Sequence, residues 1–214
     1  MDFQDIKRIV SDCRQEQAEA VARWHDQEPE FQDPGPAEAD GVGFLRIALA
    51  QHLTNFQLWH VEDRARRKDV GPDVIADCKY RIDGLNQRRN DLIERLDACL
   101  ALMIEPLLPQ GSQQRYNTET IGSALDRLSI LALKVYHMRE QTERKDASPQ
   151  LRNECLGKLE VLKEQRAALL QSVLDLLDEY EQGLKRPRGF RQFKMYNDPR
   201  LNPELYAPKD GTAA

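Results

Sequence analysis

The chain has 214 residues, 40% hydrophobic and 31% charged, with a formal net charge of −5 and a pI of about 5.5. At roughly 150 residues per domain this is one large domain or two small ones, and the acidic balance excludes a general nucleic-acid binder. No apolar run approaches the roughly 18 residues of a membrane span, and the opening MDFQDIKRIVSDCRQ is amphipathic and carries acids, which excludes a secretory signal.

Residues 2–27 read as a first helix. Phe3, Ile6, Ile9, Val10, Cys13, Ala20, Val21 and Trp24 form an apolar stripe that thins at QEQAE. Residues 28–42, EPEFQDPGPAEADGV, hold three prolines, two glycines and five acids with no basic neighbour. This reads as an acidic loop with freedom to move.

The second helix, about 43–67, contains HLTNFQLWHVEDRAR. Steps of three and four place His52, Asn55, Trp59, Glu62 and Arg66 on one stripe, with Leu49, Leu53, Phe56, His60 and Asp63 on the row beside it. The combined face is apolar at its start and polar at its end. A core helix does not normally mix His, Asn, Glu, Asp and Arg with its Leu, Phe and Trp, so this face points to a polar site.

Gly71-Pro72 punctuates the chain, and a third helix runs from about 72 to 105. Its seam, Ile75, Lys79, Ile82, Asn86, Arg89, Ile93, Leu96, Leu100 and Met103, is heptad-like. The first half of that seam is polar and the second apolar. At ~1.5 Å per residue the helix is about 50 Å long. A fourth helix, about 118–145, is apolar nearly all round and is expected at the centre of the fold. Asp126, Ser129, Lys134 and His137 are its polar exceptions. Ser148-Pro149 starts a fifth helix that Gly183 stops, and Arg166 interrupts its otherwise apolar seam.

The tail, 184–214, is basic and aromatic, with turn dipeptides at Asp-Pro and Asn-Pro. Its aromatic content predicts an ordered, extended strap over residues 190–206, its rings packed on the bundle. The four cysteines, Cys13, Cys78, Cys99 and Cys155, fall inside helical patterns and never as C-x-x-C. They read as small buried side chains in a reducing cytoplasm.

The fold expected is therefore all-α: an antiparallel bundle of about five long helices in a single domain, 1–214, with an extended C-terminal strap. Arg66, Lys79, Arg89 and Arg166 are cations on or beside helix seams, and Glu62, Asp63, Asp83 and Asp126 are the acids available to them. Buried charges must pair with each other, with solvent or with a ligand. Two readings stand side by side: a closed salt-bridge network that fixes helix register, and a pocket in which arginines hold a phosphate or carboxylate. For the pocket, the ligand-binding candidates are His52, Asn55, Trp59, Arg66, Lys79, Asn86, Arg89, Asp126 and Arg166. The catalytic candidates, should there be a reaction, are Glu62, Asp63, His60 and Asp83. His52 and His60 are eight residues apart, which is not the spacing of a zinc-binding pair, so no residue is assigned to a metal. The carboxylates have the oxygens that a hard divalent cation takes, and this leaves the cofactor open.

Four stretches, NFQLWHVEDRAR, KYRIDGLNQRRNDLIE, NTETIGSALDRLSILALKVYHM and KMYNDPRLNPELY, resemble a bacterial family known as a domain of unknown function. The resemblance spans nearly the whole chain and is weakest before residue 43. Trp59, His60, Glu62, Asp63, Arg66, Asp83, Asn86, Gln87, Asp126, Ser129, Asn197 and Asp198 match its motifs. It implies a setting near glycosyltransferases of cell-envelope polysaccharide synthesis and no particular chemistry. Two further likenesses stop short: Glu62, Asp63, Asp83 and Asp91 lack the paired E-x-x-E and E-x-x-D spacings of all-α nucleotide pyrophosphohydrolases, and the run RIDGLNQRRNDLI is similar to a helix of chorismate mutases over one helix alone.

Two functions follow. One is binding of, or action on, a phosphorylated or carboxylated small molecule such as a sugar or nucleotide sugar. The other is a non-catalytic helical scaffold that partners an envelope-biosynthesis protein. In either case the chain is expected in the cytoplasm, without nucleic acid or membrane span, as monomer or dimer.

Overall fold

Each long helix begins where a side chain or a proline settles the first free amides. The computed structural model describes residues 1–193, 195 and 198–206. In it α1 spans Phe3–Asp26, α2 Gly41–Ala65, α3 Pro72–Ile104, α4 Ile121–Glu143 and α5 Pro149–Glu181, with a 3₁₀ turn at Glu105–Leu107 and a short α6 at Pro203–Tyr206. Asp2 and Asp5 form a reciprocal capping box on α1. Asp40 accepts from the Gly43 amide at 2.8 Å, Thr120 from Ser123 at 3.1 Å and Ser148 from Leu151 at 3.2 Å. Pro72 and Pro149 sit in first turns, where their missing N–H is harmless. Among the described residues there is no strand, and none of the helices is long and apolar enough to cross a membrane.

The main core joins the start of α1 (Phe3, Ile6, Val10, Cys13), the start of α2 (Phe44, Ile47, Ala48), the end of α3 (Leu92 to Ile104), the start of α4 (Ile121, Leu125, Leu128) and the end of α5 (Val173 to Tyr180). That membership fixes the directions: α2–α3, α3–α4 and α4–α5 are antiparallel neighbours, while α1 and α2 run the same way. The acidic segment makes this arrangement. Its 14 residues, 27–40, reach about 46 Å when extended, against about 36 Å for the 24-residue α1, so they carry the chain back to the starting end. As expected, α4 touches all four other long helices.

The acidic segment itself departs from the loose loop the sequence suggests. Phe31 and Ala37 pack on the core and Pro34 is buried. Asp33 pairs with Arg95 at 2.7 Å, and the Arg88 guanidinium lies 4.0 Å above the Phe31 ring. The basic partners missing from the segment come from α3. The tail departs in the opposite sense. Its backbone is tied down through residue 192, by Arg186 N to the Arg115 carbonyl at 2.9 Å and by Gln192 N to Glu94 at 2.7 Å. Its aromatic rings nevertheless face outward: Phe193 is 81% exposed, and Phe190 and Tyr206 are exposed too. Tyr196 and Asn197 lie outside the described residues.

A second cluster (Val21, Leu53, Phe56, Ala132, Leu133) continues the core toward the far end of α2 and α4. Beyond it, the tip of the α2–α3 hairpin has a small apolar cluster of its own, Val61, Cys78 and Leu85 with partly buried neighbours. The α3–α4 crossing is tight at Gly122. Its amide donates to Asp97 Oδ1 at 2.7 Å, and a Cβ there would lie 2.7 Å from that oxygen and 2.8 Å from the Ile93 carbonyl. All four cysteines are buried and unpaired.

Candidate functional site

The polar face of α2 meets the polar exceptions of α4 at the bundle centre. Gln51 and Asn55 are one turn apart on α2; Asp126 and Ser129 are one turn apart on α4. Asn55 Nδ2 donates to Asp126 Oδ1 and to Ser129 Oγ, each at 2.9 Å, and Gln51 Nε2 donates to the same carboxylate oxygen. Arg89, from α3, closes the other side with a fork: Nε to Oδ1 at 2.8 Å and Nη2 to Oδ2. The Asp126 side chain is only 5% exposed, and a bare carboxylate there would cost several kcal/mol. Four donated hydrogen bonds and one cation make the ionised form tolerable.

His52 extends this centre inward. Its Nδ1 is 2.7 Å from Ser129 Oγ, and its ring lies 4.9 Å from Trp24. Complete burial holds its pKa at about 3, with the charge of Arg166 adding to the effect, so the ring is neutral. Ser129 is also fully buried, which removes it from contact with any substrate.

Outward from Arg89 the centre opens into a groove of about 340 Å³ lined by Asn55, Leu58, Trp59, Glu62, Asp63, Arg66, Arg89, Ile130 and Leu133. The exposed nitrogen of the Arg89 fork, Nη1, makes no hydrogen bond among the described residues. Arg66 pairs with Glu62 at 2.8 Å in an exposed, one-turn ion pair. Trp59 and Asp63 also border an adjoining depression with Lys134, His137, Met138 and Leu162. Trp59 itself stacks on the His137 ring, centroids 4.8 Å apart and planes 12° apart.

The sequence candidates therefore divide. Asn55, Trp59, Glu62, Asp63, Arg66 and Arg89 line one groove, with Asp126 directly behind Arg89. His52 lies in the core behind them. Lys79 and Asp83 form an exposed ion pair with each other on the projecting part of α3, away from the groove. Asn86 is half-buried and does not line it. Arg166 lies on another side of the bundle, where it donates to the Arg14 carbonyl, and burial lowers its pKa to about 10. His60 faces neither groove. It meets His25 and His137, with one ligating nitrogen of each within 4.8 Å of the others. That grouping reopens metal binding, to which the sequence assigned no residue. Gln51 was also missed; its signal was its place one turn before Asn55.

Residues 45–188 match the family model described as "Protein of unknown function (DUF4254)". No curated protein and no solved structure matches the chain.

Proposed function

We propose that this chain, which belongs to the DUF4254 family, binds a small phosphorylated or carboxylated molecule in the α2–α3–α4 groove, with a sugar as the class that fits best. The observation that supports the reading is the convergence of Arg89, Arg66, Trp59, Glu62 and Asp63 on one open concavity. Arg89 is pre-positioned by Asp126, so its free N–H groups lose little freedom when they meet an anion. Arg66 is held by an exposed helical pair with Glu62, worth roughly 0.3–0.5 kcal/mol, and by a 2.6 Å hydrogen bond to the Glu62 carbonyl, so a phosphate oxygen replaces the Glu62 carboxylate at little cost. The Trp59 face suits the apolar side of a sugar ring, and the two carboxylates accept from its hydroxyls. The carboxylates also leave room for acid–base chemistry. A setting in envelope polysaccharide synthesis, suggested by the family resemblance, is consistent with that ligand class.

Trp59 is its own reporter once Trp24 is replaced by Phe. Inorganic phosphate and sugar phosphates should then change its emission saturably, the more weakly the higher the salt. Arg66→Met should abolish the response without unfolding the protein. No saturable response to any phosphate or carboxylate at millimolar concentration would overturn the reading and leave Arg89–Asp126 as a structural pair.

A further inference from the structure

Three imidazoles from three helices meet at the far end of the bundle: His25 in the last turn of α1, His60 in α2 and His137 in α4. Ring centroids are 5.1 Å apart for His25–His60, 5.0 Å for His25–His137 and 5.7 Å for His60–His137, with each pair of planes steeply inclined at 76°, 73° and 82°. Nδ1 of His25 is 2.7 Å from the Val21 carbonyl oxygen. A carbonyl has no proton to give, so this contact places the hydrogen on Nδ1 and leaves a lone pair on Nε2 of the neutral ring. Nδ1 of His137 meets the Glu140 carboxylate at 2.7 Å, with the same consequence. Both Nε2 atoms are buried and have no hydrogen-bond partner among the described residues. Buried acceptors are normally satisfied, so a pair of bare imidazole nitrogens beside a third ring calls for a cation between them.

The rings are also fixed in orientation. Tyr136 stacks on His25 at 4.3 Å, Trp59 stacks on His137, and Phe56 makes T-shaped contacts with His60 at 4.6 Å and with His25 at 4.9 Å. A backbone carbonyl or carboxylate on the far nitrogen is the arrangement that orients and strengthens metal-binding imidazoles. The negative charges of Asp63 and Glu28 act on His60 from nearby and favour a cation at this end of the bundle.

We propose that His25, His60 and His137 bind one divalent transition-metal ion, zinc by preference. Three imidazoles suit zinc, and oxygen-seeking magnesium and calcium are disfavoured. Metal–nitrogen bonds of about 2.0–2.1 Å in a tetrahedron bring the nitrogens to about 3.4 Å, so the rings close inward by about 1 Å or somewhat more from their present separation. A three-nitrogen set leaves a fourth position for water or a ligand. The inference stands on the histidines alone and does not depend on what the groove binds.

The test uses the full chain stripped with a chelator. Zinc, measured by competition with a chromophoric chelator, should bind one ion per chain at sub-micromolar concentration, and cobalt(II) should give visible d–d bands without a thiolate charge-transfer band. His60→Gln should weaken binding at least 100-fold. Glu140→Gln changes only an exposed partner of a ligand and should weaken it about 10- to 100-fold with the helical circular dichroism unchanged. Of the four histidines, zinc should shift the ring NMR signals of three and leave His52 unmoved, a readout that needs no variant. Absence of stoichiometric uptake, uptake indifferent to both variants, or a thiolate band would overturn the proposal.

Discussion

His52 offers a direct measurement of what burial of the polar centre costs. Its ring is sealed from solvent and its pKa is held at about 3, against 6.5 for an ordinary histidine. The folded state therefore refuses a proton that the unfolded state accepts, and stability is lost as pH falls through 6.5 and onward toward 3. Between about pH 7.5 and about pH 5 the unfolded histidine gains about 1.5 units of protonation free energy, or about 2 kcal/mol. Asp97 works in the opposite direction. Burial raises its carboxyl to about 6 from 3.8, so its ionisation destabilises the fold at neutral pH, and about 1.4 kcal/mol returns over the same interval. The two trends partly cancel in the native chain, which is why a variant is required. His52→Asn keeps a polar group against Ser129 and removes the titration, while every other titrating group is common to both proteins. Urea unfolding at the two pH values should show the native chain losing about 2 kcal/mol more than the variant on acidification. Equal losses would mean that His52 is reached by water or protonates in place, and the sealed centre described above would be refuted.

Arg89→Met should strand Asp126 and destabilise the fold by about 3–5 kcal/mol in chemical unfolding, whereas Arg66→Met and Lys79→Met, which break exposed pairs, should each change it by less than about 1 kcal/mol. A small effect at Arg89 would show that the centre is wetter than its geometry implies. Gly122→Ala forces a methyl against Asp97 and the Ile93 carbonyl, so a loss of about 1–3 kcal/mol is expected, and an unchanged thermal midpoint would show that α3 and α4 separate freely.

The helices were legible because their signals are local. Ser148-Pro149, Gly71-Pro72 and the 3–4 spacing of apolar residues lie within a few residues of the turns they specify. The convergence of Asn55, Trp59, Glu62, Asp63 and Arg66 was legible for the same reason, since all lie along one stretch of α2. Lys79 and Arg166 show where that reasoning stops. A seam tells which side chains share a face, but not how far the facing helix extends. At the N-terminal part of α3 the buried apolar residues, among those described, come from α2 and α3 alone, and Lys79 is exposed to water. Arg166 does lie in a packed seam, yet the group it donates to is the Arg14 carbonyl on α1 and not Asp126. The acidic segment and the aromatic tail exchanged fates because neither contains its own partners: Arg95 and Arg88 on α3 recruit the first, and Phe190, Phe193 and Tyr206 of the second stay exposed. His25 carried no signal at all, because its companions are 35 and 112 residues away.

The thin apolar backing of the α2–α3 tip has a further consequence. Among the described residues Val61, Cys78 and Leu85 form the buried apolar cluster there, while the other ends of the same two helices share the main core with Phe44, Leu96 and Ile104. Free energy of local opening follows such backing, so the hairpin end is the part that frays first, on a faster clock than the rest of the bundle. Glu62 and Arg66 ride on that fraying end, whereas Arg89 and Asp126 are anchored to the slow interior. One bank of the groove is thus the firmer and the other the more yielding, so the ligand proposed above would enter by the breathing of a single hairpin, with the core undisturbed.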